Sequence, residues 1–257
     1  MNKAGSASTV CNRAAIPLSH RDWTEMRGLL ALALFSLSCA ALAAPPARIE
    51  ATYDLIIQGL KLAEVREVFS RDGDKYRIQS VTKPVSLLAL FQPETAVATS
   101  EGEITRNGLR PRKFTHLRTR SPEKNAQAHF DWNLGLLTMS DHTGIRQLPL
   151  PPGTQDRLSA MYQFVIMPPQ ARLELALQVT NGSKLQPYHY LLDPARSTKV
   201  PFGEVRSYYL QTPRQTTAWK SEIWLAIDHD YFPAKMVLTE DDGKQFVQVL
   251  RTLDIQP

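Results

Sequence analysis

The sequence predicts a mainly β protein: a single curved antiparallel sheet that forms an open or half barrel, with one short amphipathic helix covering it. Three observations predict this fold class. An aspartate or asparagine followed by glycine separates runs of strand formers at four places, Asp72-Gly73, Asn107-Gly108, Asn181-Gly182 and Asp242-Gly243. Several of these runs alternate apolar and polar residues, as half-buried strands do. One further segment follows a helical period instead.

The four pairs predict β-hairpins. A two-residue Asn-Gly or Asp-Gly loop suits a type I′ turn, because both central residues need positive φ, and its twist matches antiparallel strands. We expect about twelve strands, more than a strongly twisted open sheet usually holds without curling or closing. The hairpins therefore predict a curved, barrel-like sheet.

The strand "KYRIQSVT" shows the alternation most clearly, with Tyr76 and Ile78 on one face and Lys75, Arg77 and Gln79 on the other. This pattern predicts a sheet with one solvated face. The segment "IWLAI", residues 223–227, is apolar on both faces. It predicts a strand covered on both sides, or one whose outward Trp224 meets a partner.

One helix is predicted over residues 154–166, between two blocks of strands. Its apolar residues recur at i, i+3, i+4 and i+7: Leu158, Met161, Tyr162 and Val165. Thr154 is the expected N-cap, Asp156 lies in the first turn, and Pro168-Pro169 ends the run. We expect this helix to cover the open side or end of the curled sheet.

A second apolar segment, "VSLLALFQP", spans residues 85–93. Its large side chains predict either a core-filling turn or an apolar lip at a cavity mouth, the lip being formed by Leu87, Leu88, Leu90 and Phe91. The aromatic rings of Trp132 and Trp224 are candidates to line a ligand cavity, although large rings also fill ordinary β cores.

The segment from Met26 to Ala43 has the order of a secretory signal peptide. A single basic residue, Arg27, precedes an apolar run and then Ala41-Leu42-Ala43. We expect Met26 to be the true start, cleavage after Ala43, and a periplasmic protein. Residues 1–43 then form an upstream extension and signal peptide, and residues 44–257 a single β domain. The alternatives are an uncleaved signal anchor, or a lipid anchor through Cys39 in "SLSC".

Composition narrows the function classes. Both cysteines, Cys11 and Cys39, precede the expected cleavage site, so disulfides and thiolate chemistry are not expected in residues 44–257. The formal net charge of +5 is mild and predicts no nucleic-acid partner. The densest basic run, residues 106–124, predicts either a surface for anionic lipid or, the interpretation we favour, an edge strand protected by charge.

The sequence carries no catalytic signature. It contains no Gly-x-Ser-x-Gly and no glycine-rich phosphate loop between a strand and a helix. Acidic and histidine side chains cluster at His129 and Asp131, at Asp141 and His142, and at Asp228-His229-Asp230. None has a metal-ligand spacing of known mechanics, and all suit turns. We therefore expect no enzyme, no metal site and no cofactor.

Six segments together carry a family resemblance: "GLKLAEVREVFSRDGDKYRIQSVTKPVSLLALF", "SEGEITRNGLRPRKF", "AHFDWNLGLLTM", "GTQDRLSAMYQFVIMPP", "VTNGSKLQPYHY" and "SEIWLAIDHDYFPAKMVLTEDDGKQFVQ". They resemble, in order, the bacterial domain-of-unknown-function family 3108. The resemblance implies an exported envelope protein of mainly antiparallel β structure with no established reaction. The expected arrangement is also similar in fold to the half-barrel carriers that move lipoproteins across the periplasm.

Two functional hypotheses follow. In the first, the curled sheet encloses an apolar groove, bordered by the helix and the lip, that binds a lipid, an acyl chain or a lipidated protein. In the second, the interior is packed solid, and the protein is a structural or adaptor component of the envelope that acts through protein contacts. An apolar cavity of roughly several hundred Å³ would favour the first hypothesis, and a filled interior the second.

Overall fold

The computed structural model describes residues 45–85, 94–169, 173–213 and 219–257, without the side chain of residue 195. The predicted signal peptide lies outside these residues, as do Leu87, Leu88, Leu90 and Phe91 of the predicted lip. Within the described ranges, no helix is long and apolar enough to cross a membrane.

The described residues form fifteen strands, one α-helix and two 3₁₀ turns. The strands are β1 (Arg48–Ile57), β2 (Leu60–Asp72), β3 (Lys75–Pro84), β4 (Ala96–Thr105), β5 (Gly108–Arg118), β6 (Ala126–Asp131), β7 (Leu136–Asp141), β8 (Gly144–Pro149), β9 (Gln155–Asp156), β10 (Glu174–Thr180), β11 (Leu185–Val200), β12 (Gly203–Gln211), β13 (Lys220–Ala226), β14 (Phe232–Thr239) and β15 (Gln245–Gln256). The helix α1 spans Ser159–Ile166, and the 3₁₀ turns span Pro122–Lys124 and Ile227–His229. About twelve strands were expected, so that estimate was too low.

All fifteen strands belong to one sheet, in the order β8-β7-β6-β5-β4-β3-β2-β1-β15-β14-β13-β12-β11-β10-β9. The first and last strands of the chain, β1 and β15, pair antiparallel at the centre. The two arms of the sheet extend from this pair to separate edges at β8 and β9, so the sheet is open. The predicted single curved antiparallel sheet is confirmed, with one parallel exception between β9 and β10.

The four predicted hairpins are confirmed, but the predicted type I′ turn is wrong at each of them. None of Asp72, Asn107, Asn181 and Asp242 has positive φ; only the glycine that follows each of them does. At the β10–β11 loop, Asn181 Oδ1 instead accepts backbone N–H groups of Ser183 and Lys184. The positive φ pair that type I′ requires lies at Gln58 (50°) and Gly59 (81°), between β1 and β2.

Several β-bulges bend the sheet. The register shifts between Thr52 and Tyr53, between Leu55 and Ile56, and between Glu101 and Gly102, and again on the other arm between Trp224 and Leu225. A bulge bends its strand and increases the local right-handed twist. The curvature thus comes from both arms of the sheet.

The main hydrophobic core lies on the concave face, where α1 packs. The ring of Tyr162 stacks on Phe69 of β2, with 5.6 Å between centroids, and meets Phe232 of β14 edge-on at the same distance. Because β2 and β14 flank the central β1–β15 pair, Tyr162 packs over the centre of the sheet and contacts both arms. A smaller core cluster contains Phe164, Tyr190, Leu210, Ile223 and Leu225.

The helix is confirmed, but it begins later than residue 154, and Thr154 is not its cap. The Thr154 hydroxyl donates to the carbonyl of Pro151. Asp156 lies at the end of β9, where its Oδ1 accepts the backbone N–H groups of Leu158 and Ser159 at 2.9 and 3.0 Å. Asp156 therefore holds the turn that precedes α1, while Leu158, at the N-cap position itself, makes no side-chain cap.

The expected edge strand in the basic run is wrong. Residues 108–118 form β5, which pairs with β4 on one side and β6 on the other. Arg112 pairs with Glu103 and Arg118 with Glu94. Acidic residues on β4 and just before it therefore neutralise two arginines of the basic run.

Candidate functional site

A cavity of about 630 Å³ lies in the hollow of the sheet, against α1. Strands of both arms form its walls, and apolar side chains dominate them, including Leu55, Val65, Ile223, Met236 and Phe246. The volume is within the range of roughly 300–1,000 Å³ typical of ligand pockets. The hollow is therefore not packed solid, contrary to what the structural or adaptor hypothesis expects.

The helix supplies one wall of this cavity through Leu158, Ala160, Met161 and Tyr162. The Tyr162 hydroxyl also donates to Glu67 Oε2 at 3.3 Å, which ties the helix to β2. Burial raises the pKa of Tyr162, and the nearby Glu67 raises it further, so the phenol stays protonated. The helical wall is thus apolar, with one hydrogen-bonding group.

Glu67 is an acidic side chain in an apolar wall. It is only 7% exposed, and Ser80 Oγ donates to its Oε1 at 3.1 Å while Tyr162 donates to Oε2. Burial raises the pKa of Glu67, although these hydrogen bonds act in the opposite direction. Burial therefore favours the neutral carboxyl at this position.

Arg157 lines this cavity, and its side chain is exposed. Its guanidinium makes no hydrogen bond or ion pair with any residue that the structure describes. Burial lowers the pKa of Arg157, while the carboxyls of Glu67 and Asp156 raise it. An arginine remains protonated in proteins, so the cavity holds an unpaired cation.

The backbone around Arg157 is held on both sides. Its own N–H donates to the carbonyl of Thr180 at 3.1 Å. The preceding Asp156 is fully buried, and its Oδ2 accepts the Ser100 hydroxyl at 2.6 Å while Oδ1 accepts the backbone N–H of Leu158 just before α1. Because Asp156 is fixed by β4 and α1 together, the backbone that carries the Arg157 side chain is held in place.

Strand β5 adds His116 and Arg118 to the same cavity. Arg118 Nη1 donates to Glu94 Oε2 at 2.9 Å, so this arginine is already neutralised. Burial, reinforced by the charges of Arg157 and Arg118, lowers the pKa of His116 to about 4. The imidazole is therefore neutral at physiological pH.

A second cavity, of about 1090 Å³, is lined by other residues of α1, among them Gln163 and Phe164. Trp132 lines it, with its indole N–H donating to the carbonyl of Pro111 at 2.6 Å and the Arg110 guanidinium lying 5.1 Å above the ring. Leu177 and Tyr188 line both cavities. Unlike the first cavity, its lining holds no carboxylate among the described residues.

Comparison with known proteins identifies the family. The family model "Protein of unknown function (DUF3108)" matches residues 50–251. The chain belongs to the DUF3108 family. The predicted resemblance is thereby confirmed, over most of the described β domain.

Among solved structures, this DUF3108 chain is similar to a beta-barrel-like protein of domain of unknown function DUF1849 from Brucella abortus. The two share 12% sequence identity with a TM-score of 0.50, over 84% of this chain and 100% of the other. At this identity the likeness shows the fold alone. No curated protein matches the chain.

The structure brings together three of the predicted ligand-binding residues and separates others. Leu158, Met161 and Tyr162 line the 630 Å³ cavity. Val165 is buried in the main core and lines neither cavity, and Trp132 lines the second cavity instead. Trp224 lines neither: its ring contacts Tyr209 at a tilt, with the Lys235 ammonium over it, while its neighbours in β13 point to the core.

The polar residues of the cavity were missed by sequence reasoning. A signal for Glu67 was present, because Ala63, Val65, Glu67 and Phe69 alternate along β2 and all are buried. A glutamate in such a row predicts an inward carboxyl. Arg157 had no comparable signal, since it lies between β9 and α1, outside any periodic pattern.

The acidic and histidine clusters form turns. Asp131 Oδ1 accepts the backbone N–H groups of Asn133 and Leu134, and Asp141 Oδ1 accepts that of Thr143. Asp228 pairs with Arg206. Across the described residues, no group of three or more His, Cys, Asp or Glu side chains is arranged to hold a metal ion.

Proposed function

We propose that this protein binds an apolar ligand, a lipid or acyl chain, in the 630 Å³ cavity of its curved sheet. The observation that carries the proposal is the cavity itself, an apolar space left between the sheet and a helix that is otherwise well packed. Burying apolar ligand surface there is favourable by about 25 cal/mol per Å². The ligand would arrive free or as the acyl group of a lipidated protein.

The proposed role is binding without catalysis, in the periplasm after removal of residues 1–43. Among the described residues that line the cavity, His116 makes no hydrogen bond to a serine, so a nucleophile activated by a general base is unsupported. A role as a structural or adaptor protein is the weaker proposal, since the open hollow argues against a filled core.

A bulky substitution in the cavity wall tests the proposal. Met161 lines the 630 Å³ cavity, so Met161→Trp should fill part of it and weaken binding of a fluorescent fatty acid by about tenfold or more. The measurement is a fluorescence titration of the protein purified from cells that express the full chain.

Met167→Trp is the matched control, because Met167 is 43% exposed and lines only the second cavity. It should bind the fatty acid like the wild type. Failure of the wild-type protein to bind any fatty acid, or equal loss in both variants, would count against the proposal.

A further inference from the structure

The 630 Å³ cavity is lined by one ion pair and by one arginine that makes no ion pair with the described residues. Apart from tyrosines, its ionisable side chains in the described structure are Glu67, Glu94, His116, Arg118 and Arg157. Glu94 and Arg118 form an ion pair, and His116 is neutral at physiological pH. This leaves the Arg157 cation and the buried Glu67 carboxyl.

Glu67 makes no ion pair with Arg157, although the two groups interact electrostatically. No nitrogen of Arg157 lies within ion-pair distance of a carboxylate oxygen in the described chain, and both Glu67 oxygens already accept hydrogen bonds from Ser80 and Tyr162. The guanidinium therefore keeps its donors free and directed at the cavity. An unpaired guanidinium at the wall of an apolar cavity favours an anionic partner, because it can form charge-assisted hydrogen bonds with a carboxylate or a phosphate.

We propose that Arg157 binds the anionic head of a single-chain amphiphile whose acyl chain occupies the apolar part of the cavity. This inference rests on the proposed function and names the class of ligand: one acyl chain that ends in a carboxylate or a phosphate. The guanidinium offers a fork of donors that matches both heads. Apolar side chains of the cavity wall, among them Leu55 and Phe246, contact the acyl chain.

The anchoring of Arg157 supports a role in recognition. Asp156, which precedes it, is fixed by Ser100 and by the start of α1, and the backbone N–H of Arg157 itself donates to the carbonyl of Thr180. A head group bound to Arg157 would thus be held next to the helix that forms one wall of the cavity. Pre-organisation of this kind reduces the entropic cost of binding.

Three probes with the same sixteen-carbon chain, about the length of a common acyl chain, test the inference: hexadecanoate, hexadecyl phosphate and the neutral hexadecanol. Each displaces a fluorescent fatty acid from the wild-type protein. We expect at least one anionic probe to bind about 10- to 100-fold more tightly than hexadecanol, as a charge-assisted hydrogen bond predicts. The anionic probe that binds more tightly identifies the head group as a carboxylate or a phosphate.

Arg157→Gln should remove this preference and leave hexadecanol binding unchanged, while Arg157→Lys should keep part of it. Arg206→Gln is the control, since Arg206 is exposed, pairs with Asp228 and lines neither cavity. Circular dichroism checks that each variant is folded.

The outcomes separate this inference from the proposed function. Equal affinity of the wild type for anionic and neutral probes overturns the role of Arg157 and leaves chain binding intact. Equal loss of all three probes in a folded Arg157→Gln variant also overturns it, because it indicates a structural role. Failure of every probe to bind the wild type overturns the proposed function as well.

Discussion

His116 is a histidine placed where a charged imidazole is unfavourable. Its ring lines the cavity with two arginines nearby, and burial together with their charges lowers its pKa to about 4. An unfolded chain would titrate this histidine near pH 6.5. Between these two values the unfolded state binds a proton that the folded state does not.

The pH dependence of stability follows from this difference. A depressed pKa contributes stability that is present above the unfolded pKa and lost as the pH falls through the folded pKa. The free energy of unfolding should therefore fall by about 1–3 kcal/mol from pH 6.5 to pH 4 because of His116. Urea unfolding at several pH values should show that His116→Gln removes this part of the decrease. Parallel profiles for the two proteins would contradict the assignment.

At the residue scale, prediction from sequence succeeds where a pattern has a period. Tyr76 and Ile78 are buried as their alternation predicts, and Leu158, Met161 and Tyr162 face the cavity as their helical spacing predicts. Arg157 could not be predicted, because its position follows from the meeting of β9, α1 and β4. Trp224 was predicted as a candidate for the cavity lining but lies outside it, since an aromatic ring can pack equally well on the outer face.

At the element scale, α1 is joined to the β4–β5 hairpin by one side chain. Gln163 Oε1 accepts the backbone N–H of Leu109 at 2.7 Å, and its Nε2 donates to the carbonyl of Asn107 at 3.1 Å. Gly108 lies between them with φ of 91°, and a Cβ there would come within 2.2 Å of the Gln163 amide. A Cβ at position 108 would therefore displace the Gln163 amide from these two hydrogen bonds.

Gly108→Ala should destabilise the protein more than the same change at Gly73. Both glycines have positive φ, but a Cβ at Gly73 would meet nothing within 4 Å. The strain of the left-handed backbone is common to both variants, whereas only Gly108→Ala displaces the two hydrogen bonds of Gln163, which adds about 1–2 kcal/mol. Thermal unfolding of the two variants measures the difference, and equal losses would show that this contact contributes nothing.

The predicted elements were right in kind and less exact in their ends. Asx-Gly pairs locate hairpins because glycine supplies positive φ, yet the turn type depends on the pairing of the flanking strands, which the pair alone does not determine. The helix start shows a similar limit, because the turn before α1 is held by Asp156, which Ser100 of β4 positions from a distant part of the sequence.

At the scale of the whole molecule, the sheet has an order in which the two ends of the chain meet. Pairing of β1 with β15 joins two antiparallel arms, and Tyr162 packs over this centre against the adjacent strands β2 and β14. The hairpin content predicted a curled sheet, but not this central pairing, which is a contact between residues far apart in sequence. The volume left in the hollow was likewise undetermined, because it depends on how closely the arms approach.

The central claim is that the hollow holds an apolar ligand. Native mass spectrometry of the protein, purified without detergent from cells that express the full chain, tests it most directly. The account predicts a species heavier than the polypeptide by one acyl-chain molecule, released on denaturation and lost in Met161→Trp. A wild-type protein that carries no such molecule, and that takes up none when fatty acid is added, would contradict it.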